Sequence, residues 1–178
     1  MKLNPELESV EMMARIILAS ARTAPKAKGQ DEIVTGIVED RRALADEMTR
    51  ISQRNKASAF FARDADNVRN SACVILIGLK FKKPVGLNCG ACGFDCVSIL
   101  TQERHAGDYG GPVCSVRAVD LGIAVGSAAA KAKDLSVDNR VMYTVGVAAR
   151  NLGLMDAEVI FGLPLSVTGK NIFFDRKS

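Results

Sequence analysis

Ala72–Leu79 reads ACVILIGL, eight residues without a charge or a strongly polar side chain. Its length and its branched residues suit a β-strand covered on both faces. The chain on either side alternates between the two periodicities. Asn4 and Pro5 predict a helix start, with Asn as N-cap and Pro in the first helical position. Val10, Met13, Ile16, Ile17 and Ala21 then fall at helical spacing. Pro25 closes that helix. Ile33–Val38 (IVTGIV) predicts a short strand, and Asp40 caps a second helix reaching about Lys56. The polar stretch RDADNVRNS is read as helix or turn. Further helices are expected from Phe94 to about His105, from Cys114 to about Lys133, and from Asn139 to Leu152, where Gly153 ends the last. GDYGGP (107–112) is a flexible break. Ala157–Val167 (AEVIFGLPLSV) is a strand, followed by the turn TGKN and a short Ile172-Phe173-Phe174 tail.

Helices and strands interleave, so the expected class is α+β with an α/β-like order, a small sheet flanked by helices. The 178 residues suit one domain with a real core. Aromatics are 5% of the chain and Trp is absent, so aliphatic side chains must build that core. The net charge is +4, with lysines and arginines scattered among few aromatics, which argues against a nucleic-acid surface. No run reaches the ~18 apolar residues of a membrane span. MKLNPELESVEMM carries acids where a signal peptide needs an apolar stretch. A cytoplasmic protein with reduced thiols is expected.

Those thiols are unusually placed. Gly86–Cys96, GLNCGACGFDC, holds three of the five cysteines, and Cys114 follows after seventeen residues. Cys89-x2-Cys92-x3-Cys96 with Cys114 can close the coordination of one [4Fe–4S] cluster or one tetrahedral zinc. Structural zinc sites usually pair two knuckles, whereas a compact three-thiolate loop completed by a distant fourth thiolate is the habit of [4Fe–4S] sites. Gly90 and Gly93 allow the unusual backbone angles of a loop that wraps a cluster. Zinc and a redox disulfide remain the alternatives. The cluster-binding segment is therefore 86–116, within a single domain 1–178. Cys73, inside the apolar run, is read as a small buried hydrophobe.

The cysteine pattern, together with Ser20–Gly29 (SARTAPKAKG) and Gly162–Arg176 (GLPLSVTGKNIFFDR), resembles a family of small uncharacterised prokaryotic proteins that contain a ferredoxin domain. That resemblance implies a [4Fe–4S] cluster on Cys89, Cys92, Cys96 and Cys114. The loop is also similar to the Cys-Gly-x-Cys-Gly-x-x-x-Cys modules of electron-transfer subunits, with one residue fewer between the second and third cysteines. A further resemblance is to the flavin-dependent nitroreductase fold, whose N-terminal helix ends in a turn that holds the flavin phosphate. Ser20, Arg22 and Thr23 occupy the matching turn, with Lys26 and Lys28 behind. The resemblance implies a nitroreductase-like fold with an inserted cluster loop, FMN as a possible second cofactor, and an intertwined homodimer. The same basic residues also serve an ordinary helix C-terminus, where they offset its dipole.

Two functions follow as expectations: an electron-transfer protein that docks a redox partner protein, or a small flavin- and cluster-dependent oxidoreductase. A purely structural cluster or zinc is the third. Gly162 and Gly169 with Lys170 lack P-loop spacing and mark a turn. Gly122 and Gly126 predict close helix packing against a neighbour. His105 is expected to face solvent, and Asp64 and Asp66 to be solvated.

Overall fold

The computed structural model describes residues 1–174; Asp175 and Arg176 of the C-terminal motif lie outside the described residues. The apolar run is a strand, β2 (Cys73–Leu79), with every residue buried. Before it come α1 (Glu6–Thr23), β1 (Ile33–Ile37), α2 (Arg41–Ser52) and α3 (Phe60–Asn70). After it come a two-residue hairpin, β3 (His105–Ala106) and β4 (Gly110–Gly111), then α4 (Ser115–Asp134), β5 (Asp138–Asn139), α5 (Tyr143–Asn151) and β6 (Val159–Ser166). The main sheet has the order β1-β2-β6-β5 and is antiparallel throughout.

Alternation along β2 divides the molecule into two cores. Cys73, Ile75, Ile77 and Leu79 face α1 and α4, meeting Ile17, Ala21, Leu121, Ala124 and Ala128. Val74 and Leu76 face the other way, into a cluster with Leu44, Met48, Phe61, Val68 and Val147 from α2, α3 and α5. The result is three layers, helices on both faces of one sheet. Burial of β2 on both faces, expected of a parallel strand, is achieved here in an antiparallel sheet because each face carries its own helical cover. Pro164 fits inside β6 because of its parity. Gly162 exchanges backbone hydrogen bonds with Met142 on the side away from β2, so the nitrogen of Pro164, two residues on, also points out of the β2 ladder.

Several boundaries differ from the sequence reading. Asn4 does not cap α1; its backbone is left-handed, and no side-chain cap is made at Pro5. Asp40 caps α2 as expected, accepting from the Ala43 amide at 2.9 Å. That helix stops at Ser52, because Asn55 starts a separate turn by accepting from Ser58 N–H at 3.0 Å. The helix expected from Asn139 begins only at Tyr143, since Asp138 and Asn139 pair with Ser166 and Leu165. The Phe94–His105 helix is reduced to one 3-10 turn, Ser98–Thr101. Only Ile99 of that turn is buried, so no apolar stripe exists to hold a longer helix.

α5 and β6 approach unusually closely. A β-carbon on Gly146 would lie 1.6 Å from the Ile160 carbonyl oxygen and 2.6 Å from the Tyr109 hydroxyl. Gly146→Ala is therefore expected to destabilise the fold by more than the roughly 1–3 kcal/mol of ordinary core overpacking. Urea denaturation checks this; a midpoint within experimental error of the wild type contradicts the packing described.

Candidate metal centre

β2 leaves the sheet at Leu79 and the chain enters KFKKPVG before reaching the cysteines. The loop is built on positive φ: Gly86 (80°), Asn88 (52°), Gly90 (70°) and Gly93 (85°). Gly90 and Gly93 behave as their residue type predicts. A tight turn joins them, with Gly93 N–H donating to Gly90 C=O at 2.9 Å. Asn88 is the position the sequence reading missed; Asn tolerates the left-handed region better than other side chains do. It has a second role as a clasp. Its side-chain carbonyl accepts from Cys96 N–H at 2.8 Å, while its own N–H donates to Cys96 Sγ at 3.3 Å. The two ends of the three-cysteine run are thereby tied together. Asp95 closes the turn that follows, accepting from Val97 and Ser98 amides at 2.8 and 2.9 Å. Those amide hydrogen bonds hold its carboxyl below the ordinary range.

Cys89 is exposed and Cys92 and Cys96 are partly buried. Cys92 donates to Phe94 C=O at 3.6 Å and packs, with Phe94, against the α1/α4-side core. Cys114 belongs to that same core and is the N-cap residue of α4, in extended conformation. All five cysteines are free thiols. Cys73 is buried, and burial pushes its thiol up, as suits a packing residue. Among the described residues no three His, Cys, Asp or Glu side chains converge on a point that could hold a metal ion. The donor set nonetheless has the chemistry of a cluster site: four free thiols, three on a left-handed loop, one at a helix start, and an amide already donating to sulfur.

The start of α4 is anchored by a residue the sequence reading passed over. Arg117 is fully buried, three residues after Cys114. Its guanidinium donates to Gln30 C=O (3.0 Å), Gln30 Oε1 (2.6 Å) and Lys83 C=O (3.4 Å), and faces Asp120 (3.4 Å) and Glu32 (3.6 Å). Asp120 in turn accepts from the Ala27 amide at 2.8 Å. One cation thus joins the α4 start, the segment after α1 and the chain that leads into the cysteine loop. An arginine three residues before an aspartate, in a helix with no other charge until Lys131, was the available signal.

The span between Cys96 and Cys114 is pinned elsewhere. Arg104 donates to Gly110 and Pro112 carbonyls, and Tyr109 donates to the Ile160 carbonyl between α5 and β6. Tyr143 donates to Asp108; burial and that carboxylate push its hydroxyl up to about 12. His105 is exposed, as expected, though on β3 rather than at a helix end. Asp66 is solvated, but Asp64 is not: it is buried in α3 and accepts from Thr144 at 2.9 Å. Gly122 and Gly126 have nothing within 4 Å of an added β-carbon, so the close helix contact expected there is not made within the chain.

The turn at the end of α1 is already engaged. Ser20 donates to Ile17 C=O (2.7 Å) and to Ser127 C=O of α4 (3.1 Å), and Thr23 donates to Ala19 C=O (3.1 Å). Arg22 pairs with Asp31 at 2.6 Å and reaches Thr35 at 3.4 Å. Burial pushes the Asp31 carboxyl up, but Arg22 and the Ile33 amide outweigh it and hold it below the ordinary range. A phosphate bound to Arg22 would have to compete with Asp31.

An uncharacterized protein of Archaeoglobus fulgidus is 44% identical over 172 residues, covering 95% of this chain and 92% of its own. The family model described as "Uncharacterized protein containing a ferredoxin domain (DUF2148)" matches residues 110–176. The chain belongs to this family. The matched residues include Cys114 but not the three-cysteine loop. Among solved structures, a nitroreductase family protein of Clostridium novyi superposes with a TM-score of 0.56 at 18% identity, over 90% of this chain and 77% of the other. NfrA1 of Bacillus megaterium gives 0.58 at 14%, over 94% and 61%. A Desulfitobacterium hafniense nitroreductase with bound FMN gives 0.56 at 12%, over 89% and 78%. The family member described here has the nitroreductase-like fold.

Arg117→Met is expected to cost about 3–5 kcal/mol, because it leaves the buried Glu32 and Asp120 carboxylates unpaired. Adding Glu32→Gln and Asp120→Asn to it should recover part of that loss. Chemical denaturation of the three proteins checks this; a single variant as stable as wild type contradicts the anchoring role.

Proposed function

We propose that this protein holds one [4Fe–4S] cluster on Cys89, Cys92, Cys96 and Cys114 and serves as an electron carrier to a redox partner protein. The observation that carries the reading is the donor set: four free thiols at cluster spacing, three on a loop bent left-handed at Gly86, Asn88, Gly90 and Gly93 and the fourth at the α4 N-terminus, which would have to draw together to hold one cluster. The family's description as containing a ferredoxin domain supports it. A bound cluster supplies a one-electron couple whose potential depends on its surroundings. The chain's own contributions are local. The Asn88 amide donates to the Cys96 sulfur, and N–H···S donation of this kind favours the more negatively charged state of a sulfur ligand. Phe94 and Val113 shield the inner side, while Cys89 is left towards solvent. Zinc is the other occupant that four thiolates admit.

A second reading, a flavin- and cluster-dependent oxidoreductase, is favoured by the fold shared with the FMN-bound nitroreductase. In it Ser20, Arg22 and Thr23 would hold the flavin phosphate, with Arg22 giving up its pairing with Asp31. In either reading the protein works as a cytoplasmic homodimer. The supporting feature is the outer face of α4, where Val119 and Ile123 are exposed beside Gly122 and Gly126, an apolar surface that a second copy of the same helix can cover.

The test is iron, sulfide and flavin content after anaerobic reconstitution of a variant series. Ala at Cys89, Cys92, Cys96 or Cys114 is expected to abolish or cripple iron retention, and Cys73→Ala to leave it intact. Arg22→Ala should release flavin, if the wild type holds it, without loss of iron. Iron lost with Cys73→Ala and kept with Cys114→Ala would falsify the ligand assignment.

A further inference from the structure

The outer surface of the cysteine loop has the composition of a protein-docking face. Three large apolar side chains there are exposed: Leu87 at 53%, Val97 at 76% and Leu100 at 53%. They are neighbours by construction. Leu87 and Val97 flank the two residues of the Asn88–Cys96 clasp, and Leu100 N–H donates to Val97 C=O at 3.2 Å at the 3-10 turn. Cys89 lies next to the clasp and is itself exposed. These side chains explain why the expected helix is absent: the segment buries Ile99 and turns its other apolar groups outward.

Around them positive charge predominates. Lys82 and Lys83 are exposed on the segment entering the loop, and a β-carbon on Gly86 would come 3.9 Å from Lys28 Nζ. Among the described residues no ion pair engages Lys28, Lys82 or Lys83. From residue 80 to 104 two exposed acids, Asp95 and Glu103, stand against four bases, Lys80, Lys82, Lys83 and Arg104. Glu32 accepts from the Lys82 amide and faces Arg117, and Glu158 accepts from the Phe81 amide, so neither carboxylate is ion-paired with Lys82 or Lys83.

We propose that Leu87, Val97 and Leu100, rimmed by Lys28, Lys82 and Lys83, form the docking surface for an acidic electron-carrier protein. An apolar centre with a charged rim is the ordinary anatomy of a transient interface. The rim steers an acidic partner and sets orientation, and the apolar centre supplies contact once water leaves. The partner's class rests on the electron-carrier reading; the surface itself rests on exposure and charge.

The experiment uses the full chain reconstituted anaerobically, with a fluorescently labelled acidic [2Fe–2S] ferredoxin as the probe and binding as the readout. Binding by the wild type is expected to weaken about tenfold or more when salt is raised from low to several times physiological ionic strength. The Lys82→Glu/Lys83→Glu pair and the Leu87→Ser/Leu100→Ser pair should each weaken it by about tenfold at low salt. Lys133→Glu, in the last turn of α4, should leave it unchanged. Circular dichroism establishes that each variant is folded. Binding that is insensitive to salt and to both pairs overturns the proposal, and so does a short RNA oligonucleotide that binds this face more tightly than the ferredoxin. The cluster's absorbance in the same samples reports separately on the carrier reading: a colourless wild type that still binds the probe through these residues keeps the surface and removes the cluster.

Discussion

Seven consecutive residues, Cys73–Leu79, must be kept from water on both faces, and the rest of the chain is arranged to meet that requirement. Each methylene buried there contributes about 0.8 kcal/mol, provided that both covers are present. α1 and α4 supply one cover and α2, α3 and α5 the other. β1 and β6 then saturate the hydrogen bonds of β2 on its two edges. Removing either helical layer would expose half of β2 and leave an apolar sheet face in solvent.

The same constraint places the thiols. β2 ends at Leu79, and the chain must leave the sheet between its two covers, so the loop emerges beside the layer that contains α4. Arg117 then joins the loop's approach to the first turn of α4 from inside the protein, where an unpaired charge is intolerable. The buried cation acts as a geometric constraint more than as a source of net stability. It makes the position of Cys114 relative to the Lys83 backbone depend on one side chain. The loop itself is held by the Asn88 clasp, by the Gly90–Gly93 turn and by the packing of Cys92 and Phe94 against the α1/α4-side core.

Much of this was legible in the residues. ACVILIGL announced its strand because no helix of that length or composition is stable alone, and Asp40 announced its cap. What was not legible depended on tertiary partners. Val97, Ile99 and Leu100 have helical apolar spacing, yet only Ile99 finds a neighbour in the core. Asp64 looks like any surface acid until α5 brings Thr144 against it. Lys28 lies far from Gly86 in sequence, and only the fold brings it to the loop. Asn4 and Asn88 carry the same side chain; one was expected to cap and does not, while the other clasps a loop unannounced.

This chain thus carries a three-cysteine loop on the fold that nitroreductases use, with the α1-end turn already held by Asp31 and by backbone carbonyls. The measurement that bears most directly on this account is an absorption spectrum of anaerobically purified protein, with iron, sulfide, zinc and flavin assayed on the same sample. The account predicts a brown chromophore that bleaches on reduction, with about four irons and four sulfides per chain. A colourless protein carrying one zinc and no sulfide would contradict it and make GLNCGACGFDC a structural clamp.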